Sequence, residues 1–149
     1  MNLPLLLLAG PLAMVLAGCG SADPPEVQVR AVIEAAEKAV EARDVSAVME
    51  LVSPEYRDVE GRQTRDLSQY LRGYFIANQS IHLLTRIDSI EFPATGVAEV
   101  ALVVAMVGQE AEADSAWDLA ADIHQIKLTL MQEGNDWRVT HADPRANGR

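Results

Sequence analysis

This sequence contains little cysteine and little positive charge, and each shortage excludes a class of protein. The single cysteine, Cys19, leaves no intrachain disulfide and no thiolate zinc cluster within one chain. Lysine and arginine number 12 against 22 aspartates and glutamates, which gives a formal charge of −10. An acidic chain lacks the basic stripe that neutralises phosphates, so we expect no nucleic acid partner. The length of 149 residues is that of one domain.

The longest hydrophobic run lies at the N-terminus. Of the first 18 residues, 13 are apolar and none is charged, but Pro4 and Pro11 interrupt the run. A membrane-spanning helix needs about 20 apolar residues. The run therefore predicts a secretory signal peptide rather than a span.

The end of this run resembles the signal of bacterial lipoproteins. Leu16-Ala17-Gly18-Cys19 matches the motif in which cleavage precedes the cysteine and lipid is attached to its sulfur. The resemblance implies that residues 1–18 are removed, that Cys19 carries palmitate-type acyl chains, and that residues 19–25 form a tether. Gly20 after the cysteine is typical of sorting to the outer membrane, so we expect the periplasmic face of the cell envelope. The alternative is an incidental cysteine after an ordinary signal peptide.

The residues after the tether predict three helices. Asp23-Pro24-Pro25-Glu26 indicates a helix start with Asp23 as N-cap, and apolar spacing continues the helix to about Arg43. Asp44 is predicted to cap a second helix that ends before Pro54. Thr64 is predicted to cap a third. The buried stripe of the third helix is predicted to be Leu67, Tyr70, Leu71, Tyr74 and Asn78.

From Ser80 the hydrophobic period changes from helical to alternating. The apolar phase switches near Leu83-Leu84, which predicts a bulge there. Residues 100–107 are apolar on both faces, which predicts a central strand covered on one side by helices. A second subunit or another part of the chain would cover its other side. Residues 119–132 and 137–143 are predicted to form the last hairpin.

Helices followed by antiparallel strands predict an α+β domain over residues 26–143, with residues 144–149 as a tail. Three short motifs in this domain are similar to the nuclear transport factor 2-like superfamily, which includes SnoaL-like and ketosteroid isomerase-like proteins. The motifs are Ala42-Arg43-Asp44-Val45, Asp58-Val59-Glu60-Gly61 and Asp136-Trp137-Arg138-Val139. The resemblance implies a cystatin-like cone, in which a strongly bent antiparallel sheet holds three helices and leaves a pocket at its open end.

Asp58 is the first candidate for chemistry. In the ketosteroid isomerase branch, an aspartate three residues before a glycine abstracts the substrate proton, and Asp58 and Gly61 match that spacing. Apolar burial can raise the pKa of such a carboxyl toward the working range. The branch also uses a tyrosine where this chain has Ala36, and a protonated acid on a late strand, where Asp122 is nearest. The alternative is that Asp58 is a turn-forming residue.

The second candidate is a polar cluster in the last hairpin. A four-residue loop would place His141 opposite Leu128, so that His141 and Asp143 share the apolar face with His124 and Asp122. Two histidines and two aspartates there could bind a polar ligand, change protonation near neutral pH, or hold a metal. The alternative is that strand ends are polar because they reach solvent. We predict no metal and no cofactor.

Three tyrosines complete the candidate pocket. Tyr56, Tyr70 and Tyr74 are expected either to line it from the helix side or to lie in the core with the hydroxyl at its rim.

These observations predict a lipid-anchored domain that binds a small hydrophobic ligand or a protein partner without catalysis. One alternative is an isomerase- or cyclase-like enzyme with Asp58 as general base, assisted by His124 or Asp122. Another is a structural homodimer of the envelope, formed through the outward face of residues 97–107.

Overall fold

The computed structural model describes residues 22–110 and 121–146. The helices are α1 (Pro25–Glu41), α2 (Val45–Glu50) and α3 (Thr64–Ala77). The strands are β1 (Val52–Asp58), β2 (Asn78–Ala94), β3 (Val97–Glu110), β4 (Ala121–Glu133) and β5 (Asp136–Ala146). The predicted signal peptide of residues 1–18 and Cys19 lie outside the described residues. Among the helices described, none is long and apolar enough to cross a membrane.

The five strands form one sheet in the order β1-β5-β4-β3-β2, and the helices pack against it. This confirms the predicted α+β class with three N-terminal helices. The prediction of an antiparallel sheet is wrong at one edge, because β1 pairs with β5 in parallel. One helix and three strands separate β1 from β5 in the sequence. That separation frees the pair from hairpin geometry, so either direction can form.

The core lies between the helices and one face of the sheet, here called the core face; the opposite face is the outer face. On β3, Ala98 and Val104 are buried on the core face, while Ala101 and Val103 are half-buried on the outer face. The largest fully buried side chains are Ile81, Leu130, Val29 and Val100. A second layer over the outer face stays a prediction.

The first two helices begin close to their predicted caps. Pro24 is the N-cap of α1 in place of Asp23, since the second proline of the pair takes the first helical position. The helix ends two residues before the predicted Arg43. Asp44 caps α2 as predicted, because its carboxylate accepts the N–H of Ala47 at 3.0 Å.

The turn between α1 and α2 is tied to the end of α3. Arg43 takes a φ of 55° in this turn, and its Nη1 donates to the carbonyl oxygens of Phe75 at 3.3 Å and Asn78 at 3.4 Å. The last carbonyls of a helix lack partners within the helix. Arg43 supplies a donor for them and thereby fixes the first and third helices relative to each other.

Helix α3 has Gln63 as its N-cap instead of the predicted Thr64. The N–H of Gln63 donates to the Asp66 carboxylate at 2.8 Å, and the Thr64 hydroxyl donates to the carbonyl of Ser53 at 3.0 Å. The predicted buried stripe is wrong at Tyr70, which is 61% exposed. The apolar side of α3 consists of the buried Leu71 and Phe75 and the partly buried Leu67 and Tyr74.

The bulge in β2 comes later than predicted. The pairing with β3 stays regular through Leu83 and Leu84, and the register shifts between Ile87 and Ser89. Leu84 accounts for the wrong position of the predicted bulge, because it is apolar but 73% exposed on the outer face. At the other end of the sheet, β5 continues to Ala146, so the predicted tail of residues 144–149 is partly strand.

Candidate functional site

A bulge in β5 changes the predicted polar cluster. The register of the last hairpin is as predicted at Trp137, which pairs with Gln132. The register then shifts, and His141 pairs with Thr129 and not with the predicted Leu128. The extra residue in β5 is Thr140, whose hydroxyl donates to the carbonyl of Thr129 at 3.2 Å.

This single residue separates the two histidines. Because a shift of one residue exchanges the faces of a strand, His141 and Asp143 lie on the outer face. His124 pairs with the buried Val104 and lies on the core face. Asp122 occupies a β4 position two residues before His124, in register with Met106. The predicted convergence of two histidines and two aspartates on one face is therefore wrong.

His141 and Asp143 instead line a groove of about 310 Å³ on the outer face. The other polar side chains that line it are Ser89, Glu91, Glu99, Lys127 and Thr129. Three carboxylates, one ammonium and one imidazole give this groove both signs of charge. Val100, Ala101 and Leu128 also line the groove, so it offers apolar surface beside these charges. Within the part of the chain described, no group of three histidine, cysteine or acidic side chains could hold a metal ion.

Asp58 organises the turn between β1 and α3. The residue is 8% exposed, and its Oδ1 accepts the backbone N–H groups of Glu60 and Arg62, each at 2.9 Å. Its Oδ2 accepts the guanidinium Nε–H of Arg62 at 2.5 Å. Gly61, with a φ of 79°, donates its N–H to the Asp58 carbonyl at 3.0 Å. The carboxylate thus has three donors from its own turn.

These contacts set the protonation of Asp58 and of its neighbour Tyr56. Burial raises the pKa of Asp58, but hydrogen bonds from Arg62 and Glu60 and the Arg62 charge together hold that pKa below its usual value. Burial raises the pKa of the Tyr56 phenol, and the Asp58 charge raises it further. At neutral pH this corner therefore carries an ionised carboxylate beside a neutral phenol.

The remaining tyrosines lie on α3. The ring of Tyr74 stacks on Tyr70 with centroids 6.1 Å apart and meets Phe75 edge-on at 6.4 Å. Tyr74 is partly buried against the core, whereas Tyr70 is largely exposed. Tyr56 is a buried residue of β1. The structure thus brings Tyr70 and Tyr74 together, and neither lines the groove on the outer face.

A second groove, which sequence reasoning missed, lies between α1 and the start of β5. We call it the α1 groove; its volume is about 590 Å³. Its apolar side chains are Val27, Ala31, Val32, Leu51 and Trp137. Its polar side chains are Asp23, Gln28, Glu50, Asn135, Asp136 and Arg138. Val27 is the one sequence feature that points to this groove, because it is an apolar residue off the predicted buried stripe of α1. In the structure it is 49% exposed.

Trp137, one of the residues that line the α1 groove, has an unmet hydrogen-bond donor. The residue is only 4% exposed, and its ring packs edge-on against Phe92 with centroids 6.0 Å apart. The indole Nε1 is buried and has no hydrogen-bond partner among the residues described. A buried donor without a partner is unusual, because buried tryptophan N–H groups ordinarily find an acceptor.

Comparison with known proteins identifies the fold. No protein-family model and no curated protein matches the chain. A candidate scytalone dehydratase from Novosphingobium aromaticivorans has a TM-score of 0.70 at 11% identity, over 83% of this chain and 84% of its own. A ketosteroid isomerase-like protein from Erwinia carotovora atroseptica has a TM-score of 0.66 at 12% identity, over 83% of this chain and 96% of its own.

Two further structures complete the comparison. An NTF2-like protein from Cytophaga hutchinsonii has a TM-score of 0.63 at 10% identity, over 83% of this chain and 99% of its own. The chain covers only 40% of the length of Bd1075 from Bdellovibrio bacteriovorus, with a TM-score of 0.67 at 9% identity. At such identities the likeness shows the fold alone, which is the nuclear transport factor 2-like, cystatin-like cone fold.

Proposed function

We propose that this chain is a binding domain without catalytic activity, which takes a small hydrophobic ligand in the α1 groove. The observation that carries the proposal is that Trp137, whose buried Nε1 has no partner among the residues described, is one of the residues that line that groove. Ligand pockets are typically about 300–1,000 Å³, mostly apolar, with few polar groups that fix orientation. The α1 groove has a volume in this range, and five apolar residues line it beside six polar ones.

The indole N–H indicates what the ligand carries. A buried donor left unpaired costs roughly 1–3 kcal/mol, which a ligand oxygen could recover by accepting its hydrogen bond. We therefore expect an apolar molecule with a carbonyl or ester oxygen near one end. A protein partner presenting such an oxygen on an apolar side chain is the alternative occupant.

A pair of probes of equal length tests the proposal. Titration of the full chain with 2-decanone and with decane, read by Trp137 fluorescence in a Trp117→Phe background, is expected to show about fivefold tighter binding of the ketone. The variant Trp137→Phe replaces the indole by a smaller aromatic ring and removes the N–H. In that variant a chemical-shift titration is expected to find the two probes equal. Equal binding of both probes before the substitution would exclude the proposed hydrogen bond.

Two features support binding over catalysis. The Asp58 carboxylate is engaged by three donors of its own turn, which hold its pKa low and make it a weak base. The position that holds a tyrosine in the ketosteroid isomerase branch is Ala36, which cannot donate to an enolate oxygen.

The rival function is an isomerase- or cyclase-like activity with Asp58 as base. It is favoured by the fold shared with a ketosteroid isomerase-like protein and a candidate dehydratase. Assays of the full chain against a panel of ketosteroids and polyketides are expected to show no turnover. Turnover that disappears in Asp58→Asn, with the fold retained, would establish the enzyme instead.

We also propose that the domain is held in the cell envelope by lipid on Cys19, at the periplasmic face of the outer membrane. The support is the motif Leu16-Ala17-Gly18-Cys19 and the apolar run before it. The intact mass of the chain extracted from membranes is expected to show loss of residues 1–18 and addition of acyl chains. In Cys19→Ser the added mass should be absent; an unmodified Cys19 in the extracted wild type would contradict the proposal.

A further inference from the structure

The solvent-facing side of α3 carries two arginines in one stripe. Arg65, Gln69, Arg72 and Ile76 follow the spacing i, i+4, i+7 and i+11, which places them on one side of a helix. All four are exposed, and the buried Leu71 and Phe75 lie on the other side. We call this surface the α3 face.

A wide groove of about 630 Å³ runs between the α3 face and the corner that joins α2 to β1. Its lining combines apolar and neutral polar side chains with Arg65 and Arg72. The side chains other than the arginines are Met49, Pro54, Thr64, Ser68 and Gln69. No carboxylate from the described part of the chain lines this groove, although acidic residues outnumber basic ones by 22 to 12.

Among the residues described, the two arginines have no counter-charge. Neither Arg65 nor Arg72 forms an ion pair or hydrogen bond with any residue the structure describes. By contrast, Arg30 pairs with Glu26 at 2.8 Å and Arg86 with Asp88 at 2.9 Å. A cationic surface that the chain itself leaves unpaired is complementary to an anionic partner.

The apolar residues of the α3 face and its groove favour a membrane as that partner. Ile76 is 81% exposed within the arginine stripe, and Met49 and Pro54 line the adjoining groove. Basic residues beside exposed aliphatic and aromatic side chains are typical of helices that lie at a lipid–water interface. The arginines would meet lipid phosphates, while the apolar side chains would enter the headgroup layer.

We propose that the α3 face docks on the headgroups of an anionic membrane. This second contact surface is separate from the α1 groove and does not depend on acylation of Cys19. Binding of the α3 face to anionic lipid would oppose the net charge of the molecule, because a formal charge of −10 predicts repulsion from such lipid. Attraction to such lipid therefore requires a local basic surface.

Vesicle partitioning of the full chain tests the proposal. The measured quantity is the ratio of binding to vesicles with 30% phosphatidylglycerol over binding to phosphatidylcholine alone, so any contribution of the uncharged N-terminal run cancels. The ratio is expected to exceed one at low salt and to fall toward one in about 1 M salt. Arg65→Gln and Arg72→Gln are each expected to lower it by up to about fivefold.

Arg86→Gln is the matched control, since it removes one charge from an exposed arginine on β2. It is expected to leave the ratio unchanged, and circular dichroism should show all variants folded. A wild-type ratio of one or less would overturn the proposal. So would an equal loss in Arg86→Gln, which would indicate overall charge alone. Binding of polyglutamate that depends on Arg65 and Arg72, with a vesicle ratio of one, would replace the membrane by an acidic polypeptide.

Discussion

Asp58 and Arg62 form three hydrogen bonds with each other across the turn that joins β1 to α3. The carboxylate of Asp58 accepts the backbone N–H of Arg62 through one oxygen and the Arg62 guanidinium through the other. In return, the N–H of Asp58 donates to the carbonyl of Arg62 at 3.1 Å. This closed set of contacts makes the pair a structural element of the fold, and it makes the ionised form of Asp58 the stabilising one.

The free energy of unfolding should therefore depend on pH through Asp58. Its pKa is lowered in the folded state, so its contribution is complete above the unfolded value of about 4 and is lost as pH falls through the lower folded value. Asp58→Asn is expected to cost about 1–3 kcal/mol at pH 7, because an amide cannot accept from all three donors as well as a carboxylate.

Urea unfolding at pH 7 and pH 3 measures this prediction. The difference between the wild type and Asp58→Asn should shrink at the lower pH. Asp66→Asn, at an exposed acid that accepts the N–H of Gln63, is the control and should show a smaller loss at pH 7. A cost of Asp58→Asn that is the same at both pH values would contradict the assigned role.

The α+β class and most of the strand faces could be predicted because alternation along a strand with one buried face fixes its register. Leu128 and Leu130 of β4 show this, since both face the core as predicted. The bulge at Thr140 could not be predicted from its own neighbourhood. Residues 140–142 are Thr, His and Ala, which suit either face of a sheet. Their register also depends on β1, which pairs in parallel with the same segment and places Arg57 beside His141.

The α1 groove could not be predicted from the sequence for a related reason. Alternation along β5 correctly predicts that Trp137 lies on the apolar face. Nothing in the sequence around Trp137 shows that its Nε1 finds no acceptor among the residues described. Whether a buried donor is satisfied depends on residues distant in sequence, here those of α1 and β2. The predicted buried stripe of α3 is wrong at Tyr70. The spacing of Tyr70 from Leu67 and Leu71 fits both the buried side of the helix and the exposed edge of that side.

Deletion of Thr140 is expected to destabilise the domain by about 1–3 kcal/mol, because it removes the bend that the bulge gives β5 between its pairings with Val52 and Arg57. His141 would still pair with Thr129, so His141 and Asp143 would stay on the outer face. Thr140→Ala keeps the bulge and removes only the hydroxyl bond to the Thr129 carbonyl, so it should cost about 0.5–1.5 kcal/mol. Thermal unfolding of both variants measures this; equal costs would show that the bulge itself is dispensable.

Because apolar residues are exposed on the outer face of the sheet, we predict that the chain self-associates through this face. Leu84, Ile123 and Met131 are 73%, 49% and 45% exposed there. If a second copy covers this face, Leu84→Arg is expected to weaken the dimer at least tenfold, because an unpaired guanidinium would be buried in an apolar interface. Sedimentation equilibrium measures the dissociation constant. Ile76→Arg, at an exposed isoleucine on α3 rather than on the sheet, should leave it unchanged. A monomeric wild type at millimolar concentration would exclude this dimer.

Ser53 joins the edge strand β1 to the far end of β4. It is fully buried, its hydroxyl donates to Oε1 of Glu133 at 2.5 Å, and its Oγ accepts the N–H of Glu55 at 3.1 Å. Ser53→Ala is expected to cost about 1–3 kcal/mol, because it removes the hydrogen bond that the buried hydroxyl donates to the charged carboxylate of Glu133. Glu133→Gln keeps an oxygen that can accept this bond and should cost less, although it also weakens the 3.6 Å pairing with Arg138. Urea unfolding at pH 7 distinguishes the two variants: if Glu133→Gln cost as much as Ser53→Ala, the charge of Glu133 rather than the hydrogen bond would hold β1 in place.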